Sequence, residues 1–323
     1  MPRPKILLTR RWPKAVEKHL LERYDVTFNE TDQPLERAEI RDAMTKFDAV
    51  CPTVSDRVGA DVLEVKNRRA KVLGNYGVGF SHIDIEACKK LGIVVTNTPD
   101  VLTECTADIA IALMLMAARR AGEGERQVRS RSWTGWRPTH MLGTKVSGKT
   151  LGLIGFGRIG QATAARAHHG FGMKILYYSR RQASPEIEAA TGGRYCESLD
   201  DLIVESDFIS LHCPGGAETR HLINAQRIDR MKPSAFIINT ARGEVIDEEA
   251  LIDALKHNRI AGAGLDVYER EPDVPNDMIA LNNVVLLPHL GSATIETRVE
   301  MGMRVARNLD AFFDGKEPPD RVV

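Results

Sequence analysis

The sequence predicts an α/β fold made of two doubly wound parallel-sheet domains. Short apolar segments alternate with amphipathic helical segments along most of the 323 residues, and this alternation is typical of a parallel sheet with helices on both faces. A second series of strands and helices starts at Thr150, after a long apolar helix and a polar segment. At roughly 150 residues per domain, the chain is long enough for two such domains.

The first series of elements lies in the N-terminal third of the chain. Its strands are predicted from short apolar runs; they are Lys5–Thr9, Asp25–Asn29, Asp48–Pro52, Val72–Asn75 and Ile93–Asn97. The segments between the strands have helical periodicity or turn composition; they are Pro13–Arg23, Pro34–Met44, Gly59–Asn67 and Ile83–Leu91. This order predicts a parallel sheet covered by helices.

A long apolar helix is predicted next, over Leu102–Arg120, with capping groups from Thr103 and Glu104 near its start. A polar arm, Ala121–Lys149, follows this helix and contains the sequence WTGWRP with two of the three tryptophans. An arm with two large aromatic side chains is expected to pack against another surface. We expect a partner subunit to provide that surface.

The second series begins directly after the arm. Its first strand, Thr150–Gly155, is followed by the helix Arg158–Gly170 and the strand Lys174–Ser179. Four later strands are predicted from apolar runs; they are Phe208–Cys213, Ala235–Thr240, Ala261–Asp266 and Val284–Leu287. A last helix, Ala293–Phe313, is expected to return to the first domain.

Composition and charge exclude several classes of protein. The 44 Lys and Arg residues balance the 44 Asp and Glu residues, which argues against a general surface for nucleic acid or for anionic membranes. The longest uncharged apolar run, Ile109–Ala118, has ten residues, whereas a membrane span needs about 20. The five cysteines are widely spread without a CxxC pair, which disfavours a disulfide framework or a metal site. We expect a soluble cytoplasmic protein with reduced thiols and no metal.

A glycine-rich motif joins the first strand and helix of the second series. The sequence TLGLIGFGRIG has the G-x-G-x-x-G pattern at Gly155, Gly157 and Gly160. The first glycine permits a tight turn, the second lets the backbone approach a pyrophosphate, and the third lets the helix pack on the sheet. Arg158 and Ile159 open the helix, whose N-terminus carries partial positive charge. The pattern predicts a dinucleotide site, and the alternative is an ordinary glycine-rich turn.

The end of the next strand bears on the choice of cofactor. Folds that bind NAD usually place an Asp or Glu there, which binds the ribose 2′-hydroxyl. This chain has Ser179, Arg180 and Arg181 instead, and arginine binds a 2′-phosphate that a carboxylate would repel. We therefore predict NADP(H) in preference to NAD(H). The alternative is that both arginines are solvated at a strand end and that other contacts hold NAD.

Three further segments follow predicted strands and carry reactive side chains. Arg242 lies in NTARGEVID, Asp266 and Glu271 lie in GLDVYEREP, and His289 lies in LLPHLGSAT. Ligands of an open parallel sheet bind beyond the carboxyl ends of its strands. The three segments are therefore predicted to face the same crevice as the glycine-rich loop.

With these motifs the sequence resembles the D-2-hydroxyacid dehydrogenase family, and within it the glyoxylate/hydroxypyruvate reductases. The resemblance covers nearly the whole chain and includes NYGVGFSHIDI, TECTADIAIALML, GFGRIGQA, LHCP and the three segments above. It implies reduction of a small 2-ketoacid, such as glyoxylate or hydroxypyruvate, to the D-2-hydroxyacid. It also implies a homodimer that uses the helix and arm Leu102–Lys149.

The resemblance implies a role for each reactive side chain. Arg242 would bind the substrate carboxylate and polarise the keto oxygen, which suits its fork of N–H donors. His289 would donate the proton during reduction, and the nicotinamide would supply the hydride. Glu271 would orient His289 and stabilise its imidazolium form. The backbone amides of Val78 and Gly79 would hold the substrate carboxylate from the other domain.

The resemblance also implies cofactor contacts and domain boundaries. Asp266 corresponds to the acid that faces the nicotinamide carboxamide. The other cofactor-lining positions correspond to Thr106, Cys213, Pro214, Thr219, Thr240, Ala241, His289 and Gly291. The family fold implies a flavodoxin-like substrate-binding domain of residues 1–101 and 292–323, a Rossmann-type cofactor domain of residues 102–291, and a cleft between them.

Two positions depart from the family pattern. Gly215 and Gly216 stand where relatives often have Leu-Thr-Pro, which predicts a looser loop near the adenine ribose. His140 and Met141 lie in the arm, where some relatives project a tryptophan into the partner's active site. This difference predicts a different substrate selection.

Two alternatives stay open at this point. A reductase for a larger 2-ketoacid, phenylpyruvate-like or ketogluconate-like, would carry the same motifs. A dinucleotide-sensing binding protein can share the fold without any turnover, because a fold does not determine function. The presence of Arg242, Glu271 and His289 argues against this second alternative.

Overall fold

The computed structural model describes residues 2–323, which form two compact units. The first unit comprises Met1–Leu102 and Ala293–Val323, and the second is the continuous segment Thr103–Ser292. Each unit contains one sheet in which all paired strands are parallel. The predicted fold class is therefore confirmed.

The first unit has a five-stranded sheet with the order β2-β1-β3-β4-β5. This is the strand order of flavodoxin-like folds. The strands are β1 (Lys5–Leu8), β2 (Asp25–Phe28), β3 (Ala49–Cys51), β4 (Val72–Gly74) and β5 (Val94–Thr96). The helices are α1 (Lys14–Arg23), α2 (Arg37–Lys46), α3 (Ala60–Leu63), α4 (Ile85–Leu91) and the C-terminal helix Ile295–Phe313.

Side chains of β1 alternate between two buried layers, as the period of a strand requires. Ile6 and Leu8 pack with α1 and the C-terminal helix, whereas Leu7 packs with α2 and α4. The C-terminal helix lies very close to β4, because a Cβ on Gly74 would be 2.8 Å from Cγ1 of Val305. The C-terminal segment therefore completes one of the two layers on this sheet.

The second unit has a seven-stranded sheet with the order β12-β11-β10-β9-β6-β7-β8. Its strands are β6 (Thr150–Ile154), β7 (Lys174–Tyr178), β8 (Gly193–Tyr195), β9 (Phe208–Leu211), β10 (Phe236–Asn239), β11 (Gly262–Leu265) and β12 (Val284–Leu286). The strand order reverses between β6 and β9, and ligands of doubly wound sheets bind at such a switch point. The order is that of a Rossmann-type sheet with one additional strand at its end.

Helices cover both faces of this second sheet. They are α5 (Thr103–Ala118), α6 (Ala121–Arg129), α7 (Arg158–Phe171), α8 (Pro185–Thr191), α9 (Leu199–Glu205), α10 (Ala225–Ile228), α11 (Glu248–Lys256) and α12 (Asn276–Ile279). One hydrophobic layer lies against α5 and α7, and the other lies against α9 and α11.

The beginning of the predicted polar arm is helical. Arg120 has the left-handed backbone angle φ +54° and separates α5 from α6. Its guanidinium also pairs with Glu123 at 2.8 Å. The sequence did not predict α6 because Gly122 and Gly124 have low helix propensity. The remainder of the arm is irregular and exposes both of its tryptophans.

Three general properties of the described residues bear on the class of protein. Within residues 2–323, no helix is both long and apolar enough to span a bilayer. All five cysteines are free thiols. The same residues contain no cluster of three or more His, Cys, Asp or Glu side chains arranged to hold a metal ion.

Candidate active site

The glycine-rich loop between β6 and α7 is packed tightly against the end of β9. Gly155 has φ +93°, and a Cβ there would lie 2.5 Å from the backbone nitrogen of Cys213. A Cβ on Gly160 would lie 2.4 Å from the Gly155 carbonyl oxygen. Side chains at these two positions would collide with backbone atoms, so the loop needs both glycines.

The middle glycine of the motif has different surroundings. Gly157 is exposed at the N-cap of α7, and a Cβ there would meet no atom within 4 Å. Arg158 and Ile159 form the first turn of the helix, and the N-terminus of a helix attracts a phosphate. At the end of β10, the buried Thr240 hydroxyl has no hydrogen-bond partner among the described residues. The open loop and this unpaired hydroxyl fit a bound dinucleotide.

Two arginine side chains lie just after the end of β7, the strand next to the glycine-rich loop. Arg180 and Arg181 are exposed, and neither forms an ion pair within residues 2–323. The Ser179 hydroxyl donates to the Arg181 carbonyl oxygen at 2.6 Å, which closes the turn between them. This turn keeps two guanidinium groups available to an anion.

The turn that carries Arg242 is closed by Asn239, the last residue of β10. Asn239 Nδ2 donates to the Arg242 carbonyl oxygen at 2.9 Å, and the Ala241 amide donates to Asn239 Oδ1 at 3.0 Å. Sequence reasoning did not single out Asn239. An asparagine at the end of a strand, where a turn begins, is the available signal, because its side chain favours such turns.

Arg242 is half-buried as a residue, and its guanidinium is desolvated without a carboxylate in hydrogen-bond contact. Its Nη1 donates to the Ala241 carbonyl oxygen at 2.7 Å. Burial lowers the pKa of Arg242, although the negative charges of Glu271 and Glu244 partly oppose this effect. A desolvated guanidinium with unused donors binds a ligand carboxylate strongly.

His289 and Glu271 form a hydrogen-bonded pair, with Nδ1 of the ring 2.8 Å from Oε2 of the carboxylate. The other oxygen of Glu271 accepts the Tyr268 amide at 3.1 Å. Burial raises the pKa of Glu271, but the hydrogen bonds from His289 and the Tyr268 amide, together with the charges of His289 and Arg242, outweigh burial and leave this pKa lowered. An ionised carboxylate only accepts, so Nδ1 carries the proton and Nε2 is the nitrogen available for proton exchange.

The loop that holds His289 is fixed by Asp266, which follows β11. The His289 amide donates to the Asp266 carbonyl oxygen at 2.9 Å. The carboxylate of Asp266 accepts the amides of Leu290 at 2.6 Å and Gly291 at 2.7 Å. These bonds hold His289 at φ +54°, a conformation that is unfavourable for a residue with a side chain.

Thr106 at the start of α5 supports the same loop, since its hydroxyl donates to the Gly291 carbonyl oxygen at 3.1 Å. Burial raises the pKa of the Asp266 carboxyl. Sequence reasoning placed Asp266, Thr106 and Gly291 only along the cofactor. The structure joins all three in the network that positions the histidine loop.

The loop after β9 is more constrained than the sequence predicted. The Gly216 amide donates to Glu244 Oε1 at 2.9 Å, and the Thr219 hydroxyl donates to the Pro214 carbonyl oxygen at 2.7 Å. Gly216 has φ +134°, and a Cβ on Gly215 would lie 2.5 Å from Glu244 Oε1. The expectation of a loose loop was therefore wrong, because Gly215 allows close packing against Glu244 and the Gly216 amide is bound by the same carboxylate.

Cys213 lies between this loop and the glycine-rich loop. Burial raises the pKa of its thiol to about 11. The thiol is therefore protonated at neutral pH and acts as a packing group. Glu244, which sequence reasoning missed, accepts the Gly216 amide of the loop after β9.

A family model for the NAD-binding domain of D-isomer specific 2-hydroxyacid dehydrogenases matches residues 111–291. The chain belongs to this family. It is therefore an oxidoreductase, and the resemblance inferred from its motifs is confirmed.

Relatives of this dehydrogenase match along its whole length. A glyoxylate reductase from Thermococcus onnurineus is 46% identical, with 99% of this chain and 96% of the relative covered. The structure of a glyoxylate reductase from Paecilomyes thermophila is 32% identical with a TM-score of 0.87, covering 100% and 99% of the two chains. An NADPH-dependent glyoxylate/hydroxypyruvate reductase from Sinorhizobium meliloti, solved with NADP and malonate, is 33% identical with a TM-score of 0.86, covering 99% and 97%.

The predicted site residues of the dehydrogenase fall into separate groups. In the second unit, His289 and Glu271 pair beside the Asp266 loop, while Gly155 and Cys213 pack together at the switch point of the sheet. The remaining predicted pair, Val78 and Gly79, belongs to the first unit and follows β4. Those two residues are half-buried.

Proposed function

We propose that this dehydrogenase reduces a small 2-ketoacid, glyoxylate or hydroxypyruvate, to the D-2-hydroxyacid. The observation that carries the proposal is the His289–Glu271 pair in one unit with a desolvated, unpaired Arg242. A proton donor and a carboxylate-binding cation are the two groups that reduction of a ketoacid needs from a protein. The names of the glyoxylate reductases that match this chain support the same substrate class.

The dinucleotide would be held by the backbone of the glycine-rich loop, at Gly155, Gly157 and Gly160, and by the N-terminus of α7. Thr240 would offer it a hydroxyl that has no partner among the described residues. When bound in its reduced form, the nicotinamide supplies a hydride for the keto carbon.

The chain's own groups complete the reaction. Arg242 binds the substrate carboxylate and stabilises charge on the keto oxygen. His289 Nε2 donates its proton to that oxygen, and Glu271 stabilises the imidazolium before the transfer. Asp266 keeps the histidine loop in position through its two carboxylate acceptors. In the reverse direction His289 acts as the base.

An absorbance assay of reduced nicotinamide tests this function directly. Glyoxylate, hydroxypyruvate and phenylpyruvate are each offered with NADPH and with NADH. We expect rapid oxidation of NADPH with the first two substrates. Preference for phenylpyruvate would transfer the proposal to a larger ketoacid. Dinucleotide binding without turnover of any of the three would contradict the proposal and favour a sensing protein.

We propose NADPH as the preferred cofactor on the basis of the two unpaired arginines after β7. Replacing Arg180 and Arg181 together with alanine is expected to raise KM for NADPH by about 10- to 100-fold, since each removes charge-assisted hydrogen bonds to the 2′-phosphate. KM for NADH, measured in the same assay, should change by less than about twofold, because NADH lacks the 2′-phosphate.

Arg194→Ala is the matched control for this prediction. Arg194 is an exposed arginine on the neighbouring strand β8, but it is already paired with Glu205 at 2.6 Å. Its replacement should leave both KM values unchanged. Equal losses for NADPH and NADH in the double variant would remove the 2′-phosphate argument.

We also propose a homodimer formed through the helix and arm Leu102–Lys149. Trp136 is 82% exposed and Leu142 is 68% exposed in the single chain, and such apolar side chains on one arm favour burial by a partner. Sedimentation velocity should give the mass of two chains, and Trp136→Ala should shift the equilibrium toward one. A natural chain that sediments as a monomer at micromolar concentration would contradict the dimer.

A further inference from the structure

The loop Gly77–Gly79 in the first unit has all three of its carbonyl groups bound from the protein side. The Gly77 carbonyl oxygen accepts the Thr98 amide at 3.0 Å and Asn75 Nδ2 at 2.9 Å. The Val78 carbonyl oxygen accepts Asn97 Nδ2 at 2.9 Å, and the Gly79 carbonyl oxygen accepts Asn75 Nδ2 at 3.1 Å. Two asparagine side chains therefore supply three of these four bonds.

The amide groups of Val78 and Gly79 in the same loop, in contrast, are not bound by the described part of the protein. Within residues 2–323, neither the Val78 amide nor the Gly79 amide donates to any acceptor, and both residues are half-buried. Consecutive unpaired amides form a concave site that attracts anions. With the carbonyl oxygens held on the protein side, no acceptor of the loop opposes the approach of a carboxylate.

Asn75 occupies the centre of this arrangement and is completely buried. Its Nδ2 faces two carbonyl oxygens, so its Oδ1 must face the other way. Oδ1 lies 3.0 Å from His82 Nε2, which acts as the donor to it. The orientation of the side-chain amide is therefore fixed by three partners at once.

We propose that Asn75 and Asn97 are positioning residues for ketoacid binding. They hold the carbonyl groups of residues 77–79 inward, so that the Val78 and Gly79 amides stay free to donate to the substrate carboxylate. This inference rests on the proposed function and on the contact with the substrate carboxylate that the family resemblance implies for those two amides. Neither asparagine touches the substrate itself.

Asn75→Asp is the sharpest test, since it keeps the shape of the side chain and replaces its donor with an oxygen. The new oxygen would face the carbonyl oxygens of Gly77 and Gly79, which repel it, and the loop would lose its inward orientation. We expect KM for the ketoacid to rise by about tenfold or more. We expect kcat to stay within about threefold, because Arg242, Glu271 and His289 keep their own hydrogen bonds in the other unit.

Asn97→Ala is the second variant, and it keeps the test decisive if the buried carboxylate introduced by Asn75→Asp prevents folding. Asn97 is half-buried and supports only the Val78 carbonyl, so we expect a rise in KM of about threefold to tenfold. Asn29→Asp is the matched control. Asn29 is also a buried asparagine of the first unit, and its Nδ2 donates to the carbonyls of Thr9 at 2.8 Å and Gln33 at 2.6 Å.

Three results decide between the possibilities. Higher ketoacid KM in both test variants, with unchanged NADPH affinity and with Asn29→Asp at the natural value, supports the positioning role. An unchanged ketoacid KM in folded Asn75→Asp or in Asn97→Ala overturns the positioning role, provided that the natural chain reduces the ketoacid. Absence of ketoacid turnover by the natural chain is a failure of the proposed function instead. Thermal melting of each variant identifies any that fail to fold.

Discussion

Replacing His289 with alanine is expected to lower kcat for ketoacid reduction by about 10²- to 10⁴-fold, the usual contribution of a positioned proton donor. Without the imidazole, charge that develops on the keto oxygen must be neutralised by water. Dinucleotide affinity should change little, because the glycine-rich loop is formed by other residues. Steady-state kinetics at saturating NADPH measure the first quantity, and fluorescence titration measures the second.

His257→Ala is the matched control for this prediction. His257 also places Nδ1 beside a carboxylate, 3.1 Å from Asp253, but on an exposed helix end. Its loss should leave kcat within about twofold, as for most surface substitutions. Glu271→Gln should give an intermediate loss, since the glutamine side-chain oxygen can accept the hydrogen bond from Nδ1–H but cannot stabilise imidazolium by charge. Normal turnover by His289→Ala would remove the acid–base assignment.

Replacing Arg242 with alanine is expected to lower kcat/KM for the ketoacid by about 10²- to 10³-fold, or roughly 3–4 kcal/mol of transition-state stabilisation. The guanidinium is the desolvated cation that would pair with the substrate carboxylate. Arg242→Lys should recover only part of the loss, because lysine keeps the charge but not the planar fork of donors. Initial rates across ketoacid concentration measure both variants.

The melting temperature distinguishes a loss of ketoacid binding in Arg242→Ala from unfolding of the variant. Arg242 is desolvated without a carboxylate partner within hydrogen-bonding distance among the described residues. Removing such a charge relieves a desolvation cost, so the melting temperature of Arg242→Ala should be equal to or higher than that of the natural chain. A ketoacid KM and kcat that both stay at the natural values would exclude the proposed clamp.

Much of the fold could be predicted because the local patterns agree with the tertiary structure. Apolar runs such as Phe236–Asn239 are buried on both faces of a parallel sheet, so they are continuous in the sequence. The strand β8, Gly193–Tyr195, was not predicted, for the opposite reason. It is a three-residue edge strand with an exposed arginine and therefore has no apolar pattern.

Some residues of the candidate site could be predicted from local patterns, and others could not. Residues in short motifs at strand ends, such as Arg242 and His289, could be singled out because the strand ends of one sheet share an edge. Glu244 and Asn75 could not, since their importance depends on which backbone groups come within hydrogen-bond distance of them. Such distances are set by the tertiary structure, and no spacing in the sequence reports them.

The arrangement of the units along the chain determines when each of them can be completed during synthesis. The second unit is one uninterrupted segment, Thr103–Ser292, whereas the first needs both ends of the chain. Val305, Ala306 and Leu309 of the C-terminal helix are fully or almost fully buried in the core of the first unit. Domains usually mature from the N-terminus as the ribosome advances. Here the N-terminal sheet is completed only when residues 293–323 pack on it, and the segment inserted within it, Thr103–Ser292, can fold first.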